Sequence, residues 1–268
     1  MENRRRLIPL LAVIALAAAV LAPGLAAAQS ENPMNRSVQM LTVEVLSERR
    51  HDPNAFTQGL FLHDGLFYES TGRYGESTVR AVDPATGEVQ QQIEVPEEYF
   101  GEGLALVGDS LVMLTWQEQE AFVFDRDTFT QTGTFAYEGE GWGLCFDGNS
   151  LVMSDGSSIL QYRDPETFEV RHTVNVVRAD GRALPLLNEL ECVAGHVWAN
   201  VFTTNFIVRI DESGLVRAVY DLANLLTAEE RANLGPEAVL NGIAWKEASG
   251  TFLVTGKLWP WMFELQID

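Results

Sequence analysis

A three-residue phrase recurs five times along the chain, at intervals of roughly 40–50 residues. The copies are Gln58-Gly59-Leu60, Glu102-Gly103-Leu104, Trp142-Gly143-Leu144, Glu189-Leu190-Glu191 and Asn241-Gly242-Ile243. Each copy precedes a turn signal and runs of alternating apolar and polar residues, the pattern of short β-strands. One interval holds four such strands and their turns. The repeats therefore predict an all-β fold, a five-bladed β-propeller.

One further alternating segment, residues 40–46, precedes the first repeat and belongs to no blade. The fifth repeat ends at Asp268, with room for about three strands. We expect the N-terminal strand to supply the missing outer strand of the last blade. It would close the ring and cover an otherwise unpaired edge.

The N-terminus has the features of an export signal: three arginines, an apolar stretch and a small-residue cleavage site. We assign residues 1–28 to a cleaved signal peptide, 29–38 to a flexible leader and 39–268 to the propeller domain. The protein is expected to be periplasmic or secreted, without a stable membrane anchor, and to use the general secretion route rather than the twin-arginine route. Cleavage would leave Gln29 as the new N-terminus.

The net charge of the whole chain is −20. A strongly acidic surface repels phosphate backbones, which argues against nucleic acid as a partner. Most of this charge is expected to serve solubility, and it is compatible with a weak attraction for cationic substrates. We expect a monomer.

The two cysteines, Cys145 and Cys192, occupy the same step of consecutive repeats as aligned above. In an oxidising compartment they could form a disulfide between blades. Alternatively, they are two small buried side chains that never meet.

In a propeller the first strand of every blade lines the axis, so the residues that open these strands meet at one mouth. The first positions of the five phrases carry different polar or aromatic side chains, which suggests a recognition site. The four histidines show no zinc-ligand spacing, and no nucleotide-binding glycine loop is present. We therefore expect no cofactor and no catalytic metal.

A capping box at Thr227-Ala228-Glu229-Glu230 predicts a short helix that Gly235-Pro236 ends. The helix lies in the long connection before the fifth inner strand. It could form a rim of the site or a loop cover, and we favour the cover.

Eight segments of the chain resemble the plant and bacterial type of glutaminyl-peptide cyclotransferase. The resemblance covers residues 40–268 and includes every blade. These segments are FTQGL at 56–60, YESTG at 68–72, FGEGL at 100–104, LTW at 114–116, GWGL at 141–144, SDGS at 154–157, LNELE at 187–191 and TGKLWP at 255–260.

This resemblance implies a five-bladed propeller that converts the N-terminal glutamine of peptides and proteins to pyroglutamate with loss of ammonia. It implies Glu102 as the acid/base residue. The family usually has Trp where this chain has Phe202, so a hydrogen bond from an indole is not available there. The pocket residues implied by the resemblance are Phe56, Gln58, Phe100, Trp116, Trp142, Asn188, Phe202 and Lys257.

The residue types also suit this chemistry without the resemblance. One carboxylate can accept the proton of the attacking α-amine and deliver a proton to the departing amide nitrogen, which we predict for Glu102. Lys257 could stabilise the oxyanion or neutralise a nearby carboxylate, and Asn188 or Gln58 could orient the amide. Aromatic walls would hold the substrate folded.

Three alternatives stay open at this stage. Lys257 could be a solvated residue at a strand edge. Glu189 and Glu191 could line the channel or bind a structural cation in it. The whole protein could be a non-catalytic exported propeller that binds peptides or a partner protein, or a metal-dependent propeller hydrolase such as a lactonase.

Overall fold

The computed structural model describes residues 39–267, which form the predicted five-bladed propeller. The predicted signal peptide, the leader and Gln29 lie outside the described residues. None of the helices in the described part of the chain has the length and apolar character of a membrane span.

Each blade has four antiparallel strands, the first of which lies innermost, and blade 4 has a fifth strand that pairs in parallel. Blade 1 contains β3 (Thr57–His63), β4 (Leu66–Thr71), β5 (Thr78–Val82) and β6 (Val89–Glu94). Blade 2 contains β7 (Gly101–Val107), β8 (Ser110–Thr115), β9 (Glu120–Asp125) and β10 (Gln131–Ala136). Blade 3 contains β11 (Leu144–Phe146), β12 (Leu151–Met153), β13 (Ile159–Arg163) and β14 (Val170–Asn175).

Blades 4 and 5 also recruit the two N-terminal strands. Blade 4 contains β15 (Leu187–Val193), β16 (His196–Val201), β17 (Phe206–Ile210), β18 (Val216–Asp221) and β1 (Gln39–Leu41). Blade 5 contains β19 (Leu240–Lys246), β20 (Thr251–Gly256), β21 (Trp261–Gln266) and β2 (Glu44–Arg50).

The predicted N-terminal strand is thus two strands on neighbouring blades. The strand β2 pairs antiparallel with β21 and closes blade 5, as expected. The prediction was wrong in treating residues 40–46 as one element, because β1 pairs in parallel with β18 of blade 4. The N-terminal segment therefore ties the last two blades together.

Hydrophobic side chains fill the space between neighbouring blades. Leu60 of blade 1 packs with Leu253 and Met262 of blade 5, for example, and Phe61 and Leu104 share the cluster between blades 1 and 2. The inner strands are buried, whereas outer strands such as β2 and β14 are largely exposed. This burial holds the inner strands around one axis.

Four of the inner strands have an irregular pairing register near their first residues. In β7 the pairing moves from Gly101 opposite Thr115 to Leu104 opposite Met113, which leaves one extra residue in the inner strand. The strands β3, β15 and β19 have the same irregularity. Such a bulge re-aims side chains, and here it affects the residues that open each phrase.

This register corrects the alignment of the fourth repeat. In β15, Leu190 pairs with Ala199 as Leu104 pairs with Met113, so the fourth phrase is Asn188-Glu189-Leu190. Glu189 therefore stands where the other blades have glycine. The shift by one residue went unseen because the glycine that marks the other copies is missing from this one.

A disulfide joins Cys145 of β11 to Cys192 of β15, with a Cα–Cα distance of 5.6 Å. In the corrected register the two cysteines are one step apart rather than equivalent. The Cα separation still lies within the range that a disulfide spans. The bond links blades 3 and 4 near the axis.

The predicted short helix is α1 (Ala228–Ala232). Its capping box is formed: the Thr227 hydroxyl accepts the Glu230 backbone N–H at 3.2 Å, and the Glu230 carboxylate accepts the Thr227 N–H at 2.8 Å. The helix ends at Ala232, and the chain then enters blade 5 past Pro236.

Candidate active site

A cavity of about 410 Å³ opens at the mouth of the propeller axis. All nine side chains predicted for the site, from every blade, line it. Its lining consists of Phe56, Gln58, Arg73, Phe100, Glu102, Trp116, Trp142, Asn188, Phe202, Thr203, Pro236, Glu237, Val239 and Lys257. The structure thus brings together residues that are far apart in sequence, as expected from the convergence of the inner strands.

Gln58 bridges the two charged groups at the floor of this cavity. Its amide N–H donates to Glu102 Oε1 at 2.8 Å, and its Oε1 accepts a hydrogen bond from Lys257 Nζ. The three residues are 2–5% exposed. Lys257 is therefore a buried group of the site and not a solvated residue at a strand edge.

Burial shifts both charged groups toward their neutral forms. It raises the pKa of Glu102 well above its ordinary value; Lys257 opposes this shift, and the nearby carboxylates Glu140 and Glu118 add to it. Burial also lowers the pKa of Lys257 to about 8, with Glu102 and Glu237 acting in the other direction. Buried groups with shifted pKa values of this kind cluster at functional sites.

Aromatic rings form the walls of the cavity. Phe100 packs edge-on against Phe56 and Trp116, with ring centroids 6.1 and 5.6 Å apart. Trp142 packs edge-on against Phe202 at 5.4 Å, so Phe202 occupies a wall position despite lacking an indole N–H. Lys257 Nζ lies 4.7 Å from the centroid of the Phe56 ring, which stabilises its ammonium form.

Two of the glycines in the family-like segments make room for these walls. Gly156 has a φ of +78°, and a Cβ there would lie 2.6 Å from the Trp142 ring. A Cβ on Gly72 would overlap the Phe100 ring. A larger residue at either position would displace a wall of the cavity.

Asn188 reaches the cavity from the bulge of β15. Its backbone carbonyl accepts the Ser154 hydroxyl at 2.7 Å, and the same hydroxyl accepts the Gly143 N–H at 2.8 Å. A Cβ on Gly143 would overlap the Asn188 carbonyl. Close approach of blades 3 and 4 therefore fixes the backbone that presents Asn188.

Glu140, which no sequence pattern predicted, holds the aromatic walls from behind. Its Oε2 accepts the indole N–H of both Trp116 and Trp142 at 2.9 Å. Burial disfavours its charged form, but hydrogen bonds from Trp142, Trp116 and Gln117 outweigh burial and lower the pKa of Glu140. No repeat marks this residue, since it lies in the loop before Trp142.

A second network that the sequence patterns do not mark is centred on Glu69 of β4. Glu69 accepts hydrogen bonds from Thr57 at 2.6 Å and from Arg80 at 2.8 Å, and it contacts His51 Nε2 at 3.0 Å. Burial opposes ionisation of Glu69, but Arg80 and His51 outweigh it and lower the pKa of Glu69. His51 Nδ1 contacts the Trp259 carbonyl at 2.9 Å, so the network joins the segments that carry Gln58 and Lys257.

The connection that contains α1 forms part of the rim, contrary to the expectation of a loop cover. Pro236, Glu237 and Val239 line the cavity after the helix ends. The Glu237 carboxylate pairs with Arg73 of blade 1 at 2.7 Å. The sequence pattern located the helix but could not show which side of the blades the following residues face.

Glu189 and Glu191 face the axis below the site. The Glu189 carboxylate accepts the backbone N–H of Ile243 at 2.9 Å and that of Leu60 at 3.4 Å. Glu191 accepts the Trp245 N–H at 2.7 Å. The residue that replaces a glycine thus links blade 4 to blades 5 and 1.

Glu189 is buried and Glu191 is half-buried. Burial, helped by Glu191, raises the pKa of Glu189 well above its ordinary value, and burial raises the pKa of Glu191 to about 8 although the Trp245 and Cys192 amides oppose it. Within residues 39–267, no group of three or more His, Cys, Asp or Glu side chains is arranged to hold a metal ion.

The raised pKa of Glu191 predicts a pH-dependent stability. The folded state binds this proton more tightly than the unfolded chain, whose Glu pKa is about 4.3. The free energy of unfolding should therefore fall as pH rises from about 4.3 to about 8. The side chain at position 191 cannot ionise in Glu191→Gln. The free energy of unfolding, measured with denaturant at pH 5 and pH 8, should therefore fall less in this variant than in the unmodified protein.

The matched control for this prediction is Glu97→Gln, which removes an exposed carboxyl from blade 1. It should lose stability with pH as the unmodified protein does. An equal loss in Glu191→Gln and the unmodified protein would contradict the prediction.

The chain is similar in sequence and in structure to known proteins. The chain matches the family model described as glutamine cyclotransferase over residues 14–267. It is 38% identical over 241 residues to a glutaminyl-peptide cyclotransferase of Arabidopsis thaliana, covering 89% of this chain and 75% of the relative. The crystal structure of Myxococcus xanthus glutaminyl cyclase matches with a TM-score of 0.80 and 37% identity, covering 87% of this chain and 99% of that one.

Proposed function

The chain belongs to the glutamine cyclotransferase family, and we propose that its axial cavity converts the N-terminal glutamine of peptides and proteins to pyroglutamate, with Glu102 as general acid and base. One observation carries this proposal: a single buried carboxyl group with a raised pKa faces a cavity walled by aromatic rings. Such a group can take up a proton and pass it on.

The cavity suits a folded glutamine residue. Its walls of Trp116, Trp142 and Phe rings restrict the side chain and exclude water, so that the α-amine stays in contact with its own γ-carbonyl. Holding two reacting groups in this way supplies effective molarities of about 10⁵–10⁸ M in well-oriented systems. The rest of the peptide would leave through the mouth beside Arg73 and Glu237.

Glu102 completes the proton balance of the reaction. The neutral α-amine nitrogen forms a bond to the γ-carbonyl carbon and gives up one proton to the ionised carboxylate of Glu102. The neighbouring Lys257 favours this ionised form against the effect of burial. The tetrahedral intermediate then breaks its bond to the amide nitrogen, which takes a proton from Glu102 and leaves as ammonia. No net proton is gained or lost, so one carboxyl group serves both steps.

Lys257 and Gln58 would stabilise the intermediate. The Lys257 ammonium is a cation in a dry site, where it can oppose the negative charge that develops on the carbonyl oxygen. Gln58 holds Lys257 and Glu102 apart and orients both. Asn188, from blade 4, would orient the substrate amide.

These side chains supply the acid, the base and the cationic group, and we therefore propose that turnover needs no metal ion. We further propose that the mature protein is an exported monomer that acts on peptides outside the cytoplasm, including on its own Gln29 after signal cleavage. Intact-mass analysis of the secreted protein would show Gln29 uncyclised if that last proposal is wrong.

The direct test is ammonia release from a peptide that begins with glutamine. Two peptides serve as controls: the same sequence with an acetylated N-terminus and the same sequence beginning with asparagine. The proposal expects ammonia and pyroglutamate from the first peptide only, with a rate unchanged by a chelator. No ammonia from any peptide would overturn the assigned reaction, and a rate abolished by the chelator would overturn metal-independent turnover.

A further inference from the structure

A single carboxylate oxygen connects two walls of the cavity. Trp116 follows β8 in blade 2, and Trp142 precedes β11 in blade 3; both donate their indole N–H to Glu140 Oε2 at 2.9 Å. The other oxygen, Oε1, accepts the Gln117 side-chain amide at 3.1 Å. The two indoles therefore share an acceptor that belongs to neither of their strands.

Glu140 itself is not among the residues that line the cavity. Both of its carboxylate oxygens bond to other side chains of the protein, so we assign it a positioning role and not a catalytic one. Three hydrogen bonds from two blades hold its carboxylate in one orientation, and a charged acceptor makes such bonds stronger than a neutral one. The position of each ring is thereby linked to that of the other.

We propose that Glu140 is a positioning residue that fixes the spacing of the Trp116 and Trp142 walls, and that this spacing keeps the substrate glutamine folded for cyclisation. This inference rests on the proposed function. Rings held by one anchor leave the substrate little freedom, and a displacement of about 1 Å in such a site can reduce turnover about 100-fold.

The test compares Glu140→Gln with Glu138→Gln in the full-length protein. In Glu140→Gln the amide oxygen is a neutral and therefore weaker acceptor for the two indoles, and the amide nitrogen cannot accept the hydrogen bond from Gln117. We expect kcat to fall by about 10–100-fold, with a smaller change in KM. Glu138 is exposed in the same loop, and its removal changes the net charge equally without touching either indole.

A double-mutant cycle separates positioning from general loss of structure. Trp116→Phe removes one of the two N–H donors, so Glu140→Gln should reduce kcat less in that background than in the unmodified protein. Equal losses in both backgrounds would overturn the inference, as would a Glu140→Gln variant with the kcat of the unmodified protein.

A spectroscopic measurement keeps this inference distinct from the proposed function. The near-ultraviolet circular dichroism of the tryptophans should change in Glu140→Gln and stay the same in Glu138→Gln, whether or not the protein is active. An unchanged spectrum in Glu140→Gln would overturn the shared anchoring. If the unmodified protein is inactive and the spectrum changes only in Glu140→Gln, the proposed function is refuted and the shared anchoring of the two indoles stands.

Discussion

Glu102→Gln is expected to lower kcat by roughly 10²–10⁴-fold while leaving the propeller folded, the loss typical of removing a general acid/base. Glutamine has nearly the same shape as glutamate and can still contact the Gln58 amide, but it cannot take up and release a proton. Burial already favours the uncharged carboxyl group at this position, so the neutral amide should cost little stability.

Ammonia release under saturating peptide gives kcat, and thermal unfolding reports the fold. Glu97→Gln, an exposed change on blade 1, is the control and should retain full turnover. If Glu102→Gln kept a kcat within tenfold of the unmodified protein, Glu102 would not be the proton-transfer group.

Removal of residues 1–50 is expected to abolish cooperative folding. This deletion takes away β1 and β2, and with them the ladder that pairs Glu44 with Gln266 at one end and Arg50 with Trp261 at the other. Each hydrogen bond of the ladder contributes about 0.5–1.5 kcal/mol, and a domain has only about 5–15 kcal/mol in total. The ion pair between Arg49 and Glu264, at 2.8 Å, is lost as well.

A chain that lacks only residues 1–38 keeps both strands and is the matched control. Denaturant unfolding of the two proteins should give one sharp transition for the control and none for the longer deletion. If each protein unfolded in one sharp transition and the two midpoints were the same, the N-terminal strands would not close the ring.

The number and arrangement of the blades could be predicted because each repeat has the length of one blade and its phrase consists of three consecutive residues. Glycine at 59, 103, 143 and 242 marks the same step of four inner strands. At 59, 103 and 143 the backbone of the next blade approaches closely, and Gly242 has a φ of +113°. At the fourth blade that marker is Glu189, so the alignment was displaced by one residue there. A carboxylate that replaces a glycine and binds backbone N–H groups of other blades has no local signature.

The members of the site were predicted from the family resemblance. Propeller topology explains only why the openings of the inner strands meet at one mouth. The mutual arrangement of the site residues could not be predicted. The bridge from Glu102 through Gln58 to Lys257 and the shared acceptor Glu140 depend on side-chain contacts between blades. Such contacts follow from packing in three dimensions and leave no periodic pattern in the chain.

The proposed mechanism depends most on where a substrate glutamine binds. A crystal structure of Glu102→Gln with a bound peptide that begins with glutamine tests this directly. We expect the glutamine side chain between Trp116 and Trp142. The α-amine and the side-chain amide nitrogen of this glutamine should both lie within hydrogen-bond distance of residue 102. A peptide bound elsewhere, or with its glutamine outside the cavity, would contradict it.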